Sequence, residues 1–176
     1  MNRILSGSCL LFLLIFGLSC SKTKEKLTEF DIDYTNTLTV PASSYTVDVP
    51  AEFLTPEIPT ESESKFSAQK TAKDHIDEIK MTRFNISVSS GDLSVLKSID
   101  IYLKSTGQSD ILIATKSNIG AGVTSTSADL KDVNIKNYIF NDKIQFKVRL
   151  LIGGGSSFNQ QIKMDQTIHV KAKLIK

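Results

Sequence analysis

Two runs near the C-terminus decide the fold class: Lys143-Ile144-Gln145-Phe146-Lys147-Val148-Arg149-Leu150, and the longer stretch from Gln161 to Leu174. In the first, Ile144, Phe146, Val148 and Leu150 alternate with Lys143, Gln145, Lys147 and Arg149. In the second, Ile162, Met164, Ile168, Val170, Ala172 and Leu174 keep one phase, which only Gln166 interrupts. Successive side chains of a strand point to opposite faces, so a period of two places the apolar set on a core and the charged set in water. Gly153-Gly154-Gly155-Ser156-Ser157 between the two runs reads as the turn of an antiparallel hairpin. It lacks the Lys and helix that a phosphate-binding loop needs after its glycines.

The same alternation recurs upstream. From Leu27 to Val40, Phe30, Ile32 and Tyr34 take one phase and Glu29, Asp31 and Asp33 the other, as in a half-buried strand. All four prolines, Pro41, Pro50, Pro56 and Pro59, follow closely. Proline removes a ladder donor, so 41–65 is expected to be an edge segment or a wrapping loop, with a short strand at Tyr45–Val49. Residues 66–78 fit a strand or a helical turn equally. Ile79 and Met81 then lie on one phase and Phe84, Ile86 and Val88 on the other, which predicts a β-bulge near Thr82-Arg83. Ile99, Ile101 and Leu103 form another inner face, and Ser105–Asp110 turns the chain into Ile111–Lys116. Asp129–Phe140 does not alternate cleanly and is expected to hold one short helix. Many short strands with turns between them point to an all-β fold, an antiparallel β-sandwich of immunoglobulin-like type.

The N-terminus has a different logic. A basic start ending at Arg3, an apolar run centred on Leu10–Phe16 and the small-residue close Gly17-Leu18-Ser19-Cys20 make up a lipoprotein signal peptide, too short to span a membrane. Cleavage between Ser19 and Cys20 and lipidation (palmitate) of Cys20 are expected. Gly17 stands where such boxes usually carry Leu, which keeps plain secretion as the alternative. Cys9 would be discarded, leaving Cys20 with no disulfide partner. The expected organisation is a signal peptide at 1–19, a lipidated cysteine and flexible tether at 20–28, and one sandwich domain at 29–176. Cleavage removes Arg3 and no acid, lowering a net charge of +2 by one. So balanced a domain argues against nucleic acid as a partner.

The stretch Leu93–Leu103, then Leu130-Lys131-Asp132, and Tyr138 ahead of the Ile144–Leu150 strand, resembles uncharacterised β-sandwich lipoproteins of the Bacteroidota over roughly residues 76–176. The resemblance implies a β-sandwich and a cell-envelope setting. It brings no catalytic or binding residue with it.

Chemistry is sparse. His75 and His169 are the two histidines. His169 falls on the outward phase, facing solvent. Asp74-His75-Asp77-Glu78 offers metal-ligand types, but adjacency in sequence is not convergence in space. Asn85-Ile86-Ser87 sits mid-strand, and no Ser-His-acid arrangement can be recognised. No catalytic residue, metal or cofactor is therefore assigned, and the chain is not expected to be an enzyme. The expected role is a membrane-anchored lipoprotein of the cell envelope, at the outer membrane by virtue of Ser21 after the cysteine. It would serve as a binding or adhesion module, alternatively as a structural or accessory subunit of an envelope protein complex. A glycan or envelope protein is the expected partner besides the membrane. If the last two strands are neighbours, Lys143, Lys147, Arg149, Lys163, Lys171 and Lys173 form one basic stripe, a candidate surface for an anionic partner. The competing reading is that Glu29, Asp31 and Asp33 answer that charge, with the first strand lying beside the last.

Overall fold

The computed structural model describes residues 27–43, 45–46, 49–153 and 159–175. The signal segment, Cys20 and the glycine turn beyond Gly153 therefore lie outside the described residues. The chain forms two antiparallel sheets packed face to face, the all-β sandwich that the alternation predicts.

The first sheet has the order β1-β10-β4-β7. Strand β1 is Leu27–Val40, β4 is Ile76–Val88, β7 is Ser125–Ser127 and β10 is Gln160–Lys173. The second has the order β2-β9-β5-β6-β8, with β3 pairing β9 beside β2. It comprises β2 (Ala51–Leu54), β3 (Ile58–Pro59), β5 (Leu96–Ser105), β6 (Ile111–Ser117), β8 (Asp129–Leu130) and β9 (Lys143–Ile152). Helices α1 (Ser62–Ala68) and α2 (Lys136–Ile139) lie in connections.

The alternation is realised residue by residue. Ile32, Tyr34, Asn36, Leu38 and Val40 of β1 are buried while Asp31, Asp33, Thr35, Thr37 and Thr39 are exposed. Burying one such aliphatic side chain stabilises by about 1.5–3 kcal/mol, so each strand is held chiefly by its inner face. In β4 the predicted bulge is present. Thr167 stands opposite Arg83 and Ile168 opposite Met81, which leaves Thr82 as the extra residue. Met81 and Phe84 are thereby both buried although three positions apart, with Thr82 and Arg83 both exposed. The rings of Phe84 and Phe146, centroids 5.6 Å apart and nearly perpendicular, join the two sheets across the core.

One expectation about neighbours is corrected. Strands β9 and β10 do not pair; they belong to opposite sheets. Alternation identifies the core-facing side chains of each strand. Two strands facing each other across a core carry the same pattern as two strands side by side, so the pattern cannot say which they are.

The proline-rich segment supplies the margin strands β2 and β3, and the expected strand at Tyr45–Val49 is not formed at its described residues. Residues 66–78 open as the end of α1. Its Phe66 is fully buried between Phe30 and Phe140, at centroid distances of 6.2 and 6.3 Å. Tyr34 Oη donates a 2.9 Å hydrogen bond to the Thr60 carbonyl just before the helix. Lys65 Nζ lies 4.2 Å from the centre of the Tyr34 ring. Helix α1 and its approach thus pack against β1 at Phe30 and Tyr34.

Candidate functional site

The six basic residues expected to share a stripe are divided between the two outer faces, three on β9 and three on β10, because those strands lie in different sheets. Each is also answered. Lys143 meets Glu57 at 2.9 Å and Lys147 meets Asp110 at 2.7 Å. Arg149 Nε lies 3.3 Å from Glu52 Oε1, near enough for attraction but without hydrogen-bond alignment. Lys163 pairs with Asp165 at 2.9 Å and Lys171 with Glu78 at 3.6 Å. Lys173 is not free either. A surface whose cations are neutralised pair by pair focuses little field on an incoming anion.

Strand β1 does lie beside β10, antiparallel and in unbroken register from Leu27↔Lys173 to Val40↔Gln160. The acids of β1 consequently reach the outer face of β10. His169 is not simply solvated, as its phase suggests: its Nδ1 is 2.8 Å from Asp31 Oδ1 and its Nε2 3.6 Å from Glu29 Oε2. At the bulge, Arg83 Nη2 donates to Asp33 Oδ1 at 3.0 Å and Arg83 Nε to Thr167 Oγ1 at 2.8 Å. Thr167 Oγ1 in turn donates to Asp33 Oδ1 at 2.5 Å. The bulge turns Arg83 outward and lets one guanidinium tie β4, β10 and β1 together. The Thr167 hydroxyl and then Arg83 hold the Asp33 carboxyl below the usual carboxylate range. Arg83, Asp33 and Thr167 thus tie three neighbouring strands together through side chains.

Other polar clusters are likewise satisfied from within. The cleft of about 420 Å³ at the end of β5 and β9 includes Lys104, Ser105, Lys143 and Gln145 in its wall. Lys104 is paired with Asp110 at 2.8 Å. The Ser105 hydroxyl donates to the carbonyls of Tyr138 and Lys143, and the Gln145 amide to that of Thr55. His75 Nδ1 is 2.7 Å from Asp74 Oδ1, and Asp77 and Glu78 do not join them. Among the described residues no group of three or more His, Cys, Asp or Glu side chains is arranged to hold a metal ion, and no helix is long and apolar enough to cross a membrane.

The margins of the two sheets are where backbone groups lack ladder partners among the described residues. A strand at a sheet margin leaves the N–H and C=O of every second residue without a ladder partner. Three of the four margins are kept short: β7 has 3 residues, β8 has 2, and β2 and β3 have 4 and 2. The β2–β3 margin is further interrupted by Pro56 and Pro59. The fourth is β1. It runs for 14 residues without Pro, Gly or Lys, and the pairing with β10 shows no bulge. No charge points inward from it, and among the described residues it has no second neighbour in its sheet. The sequence displays this strand plainly, but not that its far side has no neighbouring strand among the described residues, because that depends on strand order.

No model of a protein family matches the chain, and no curated protein matches it. Among solved structures it is similar to a chain of Cocksfoot mottle virus, with 9% identity, a TM-score of 0.32, and 99% of this chain and 98% of that chain covered. It is similar also to Desmodium yellow mottle tymovirus (10% identity, TM-score 0.30, 85% of this chain and 91% of that one). A third is Mud crab tombus-like virus (8% identity, TM-score 0.35, 90% and 96% covered). None of these is a lipoprotein of the Bacteroidota, and the resemblance read over residues 76–176 is corrected accordingly. Its positions are packing positions: Leu93 and Tyr138 are buried and Leu130 packs against the core, as many β-sandwiches would require. The expectations that accompanied it are withdrawn: the membrane-anchored lipoprotein, the adhesion module or envelope subunit, the palmitate anchor and the outer-membrane address, with plain secretion as its alternative. Membrane, glycan and envelope-protein partners go with them, as does the exclusion of nucleic acid, which rested on net charge alone. At these TM-scores the likeness carries no role from those viruses to this chain.

Proposed function

We propose that this chain is a non-enzymatic structural module that works by accepting an extended strand along the free edge of β1. Its sandwich is immunoglobulin-like in the broad sense of two facing antiparallel sheets, with the last two strands divided between them. The single observation that carries the reading is the contrast between margins. Three are short or proline-broken, the usual protections against edge pairing, whereas β1 offers 14 residues of regular backbone. Adding a strand there satisfies those groups by main-chain hydrogen bonds, and the side chains of β1 select the partner. The clamp of Arg83, Asp33 and Thr167, with the packing of α1 at Phe30 and Tyr34, holds β1 in place, so the edge is presented as a rigid template.

Residue-resolved amide hydrogen exchange tests this. In a dilute monomer, alternate amides of β1 are expected to be protected by β10 while the intervening set exchanges fast, slowing only on assembly. Equal protection of both sets in a monomer would mean that the chain covers its own edge, and the reading fails.

A further inference from the structure

We infer that the strand accepted by β1 is β1 of a second copy of this chain, antiparallel across a two-fold axis at Tyr34; this rests on the reading that the free edge is the working surface. The charge pattern of the strand's outer face points to this partner. Its N-terminal half carries Glu29, Asp31 and Asp33, and its C-terminal half Thr35, Thr37 and Thr39. An acid-to-threonine arrangement of this kind is complementary to its own reverse. With Tyr34 opposite Tyr34, Asp33 faces Thr35, Asp31 faces Thr37 and Glu29 faces Thr39, each pair occurring twice. Thr37 and Thr39 donate no hydrogen bond among the described residues, so their hydroxyls are available to the carboxylates across the seam. Directly opposed side chains are the unit of sheet stabilisation, and like charges directly opposed destabilise.

The same pattern rejects competing registers. Because side-chain faces alternate, two copies with their inner faces on one side can slip only by steps that keep like phases opposed. A step one way puts Asp33 opposite Asp33. The next puts Asp31 opposite Asp33 twice. A step the other way sets Glu29 against Pro41 and loses pairs. Parallel pairing in register would stack acid on acid along half the strand. On the inner face, the favoured register sets Phe30 beside Leu38 and Ile32 beside Asn36, continuing the apolar surface of each sandwich. The two four-stranded sheets become one continuous sheet through an isologous contact, which closes at the dimer and leaves no β1 edge exposed.

The test uses the full chain with Cys9 and Cys20 changed to Ser. Asp31→Cys protein is mixed with Thr37→Cys protein and oxidised, each variant also being oxidised alone, alongside sedimentation and amide exchange over a concentration series. The inference expects a disulfide in the mixture and little with either variant alone, and a dimer whose β1 edge amides slow as concentration rises. Thr37→Asp, which places a second acid opposite Asp31, is expected to weaken the dimer about tenfold, since the repulsion is felt twice across the axis. Its own fold is not at risk, because Lys163 stands opposite residue 37 on β10. Efficient self-crosslinking of Asp31→Cys overturns the register. A monomer at every concentration with fast edge amides overturns self-pairing while leaving the edge open to a different strand. A monomer with protected edge amides overturns this inference and the proposed function together.

Discussion

Gln166 Nε2 donates a 2.7 Å hydrogen bond to Asn36 Oδ1 inside the sandwich, joining β10 to β1 through a pair of amides. Gln166 has no exposed surface and Asn36 is 9% exposed. The outer ends of the pair, Gln166 Oε1 and Asn36 Nδ2, have no partner among the described residues. A half-satisfied pair is a poor source of stability, but a slip of β1 along β10 would strand both amides among apolar side chains. The pair therefore acts on register more than on affinity.

Removing one partner should cost more than removing both. Asn36→Leu alone leaves the Gln166 amide buried without its acceptor and is expected to destabilise by about 1–3 kcal/mol. Asn36→Leu with Gln166→Leu replaces the pair by apolar groups and should recover most of that loss. Urea unfolding of the two single variants and the double variant measures the coupling. Additive losses would mean that the two amides do not act as a pair.

Tyr34 gives an independent measure of how β1 is held. Burial, with the nearby Glu61 charge second, pushes its hydroxyl well above the ordinary tyrosine range. The folded protein should therefore lose no tyrosinate amplitude at alkaline pH when Tyr34→Phe is compared with the parent chain by ultraviolet titration, until unfolding releases it. The same substitution removes the bond to the Thr60 carbonyl and should cost about 0.5–1.5 kcal/mol in denaturant unfolding.

The bulge predicts a sharper failure. Deleting Thr82 restores an uninterrupted ladder but inverts the faces on one side of the deletion. Either Ile79 and Met81 or Phe84, Ile86 and Val88, all buried, would be driven into water. The deletion variant is expected to lose cooperative unfolding and near-ultraviolet circular dichroism, whereas Thr82→Ala, which keeps the extra residue, should unfold much like the parent.

How much of this was legible before the fold was known follows from the range of each signal. The phase change between Met81 and Phe84 is local, and it foretold the bulge. The alternation of β1 and the β5–β6 hairpin are local too. Helix α1 was not legible, because in seven residues a buried Ser62 and Phe66 one turn apart make too little pattern to tell helix from strand. Sheet membership is not local at all. That is why β9 and β10 read as a hairpin, why Lys147 and Lys171 seemed to share a face, and why the free side of β1 could not be seen although its acids and threonines could.

Asp110 supplies the pH dependence that the paired surface implies. Hydrogen bonds from Lys104 and then Lys147 hold its carboxyl below the ordinary aspartate value, with nitrogen–oxygen distances of 2.8 and 2.7 Å. A carboxyl whose folded pKa lies below its unfolded one contributes stability that is fully present above the unfolded value of about 4 and is lost as pH falls through the folded value. The difference in denaturation midpoint between the parent chain and Asp110→Asn should accordingly be constant from about pH 7 to about pH 5 and shrink as pH falls below about 4. Added salt should reduce it as well, because the triad sits at the surface. A difference that grew on acidification would mean that Asp110 is held protonated in the fold, and the two lysines would then need another explanation.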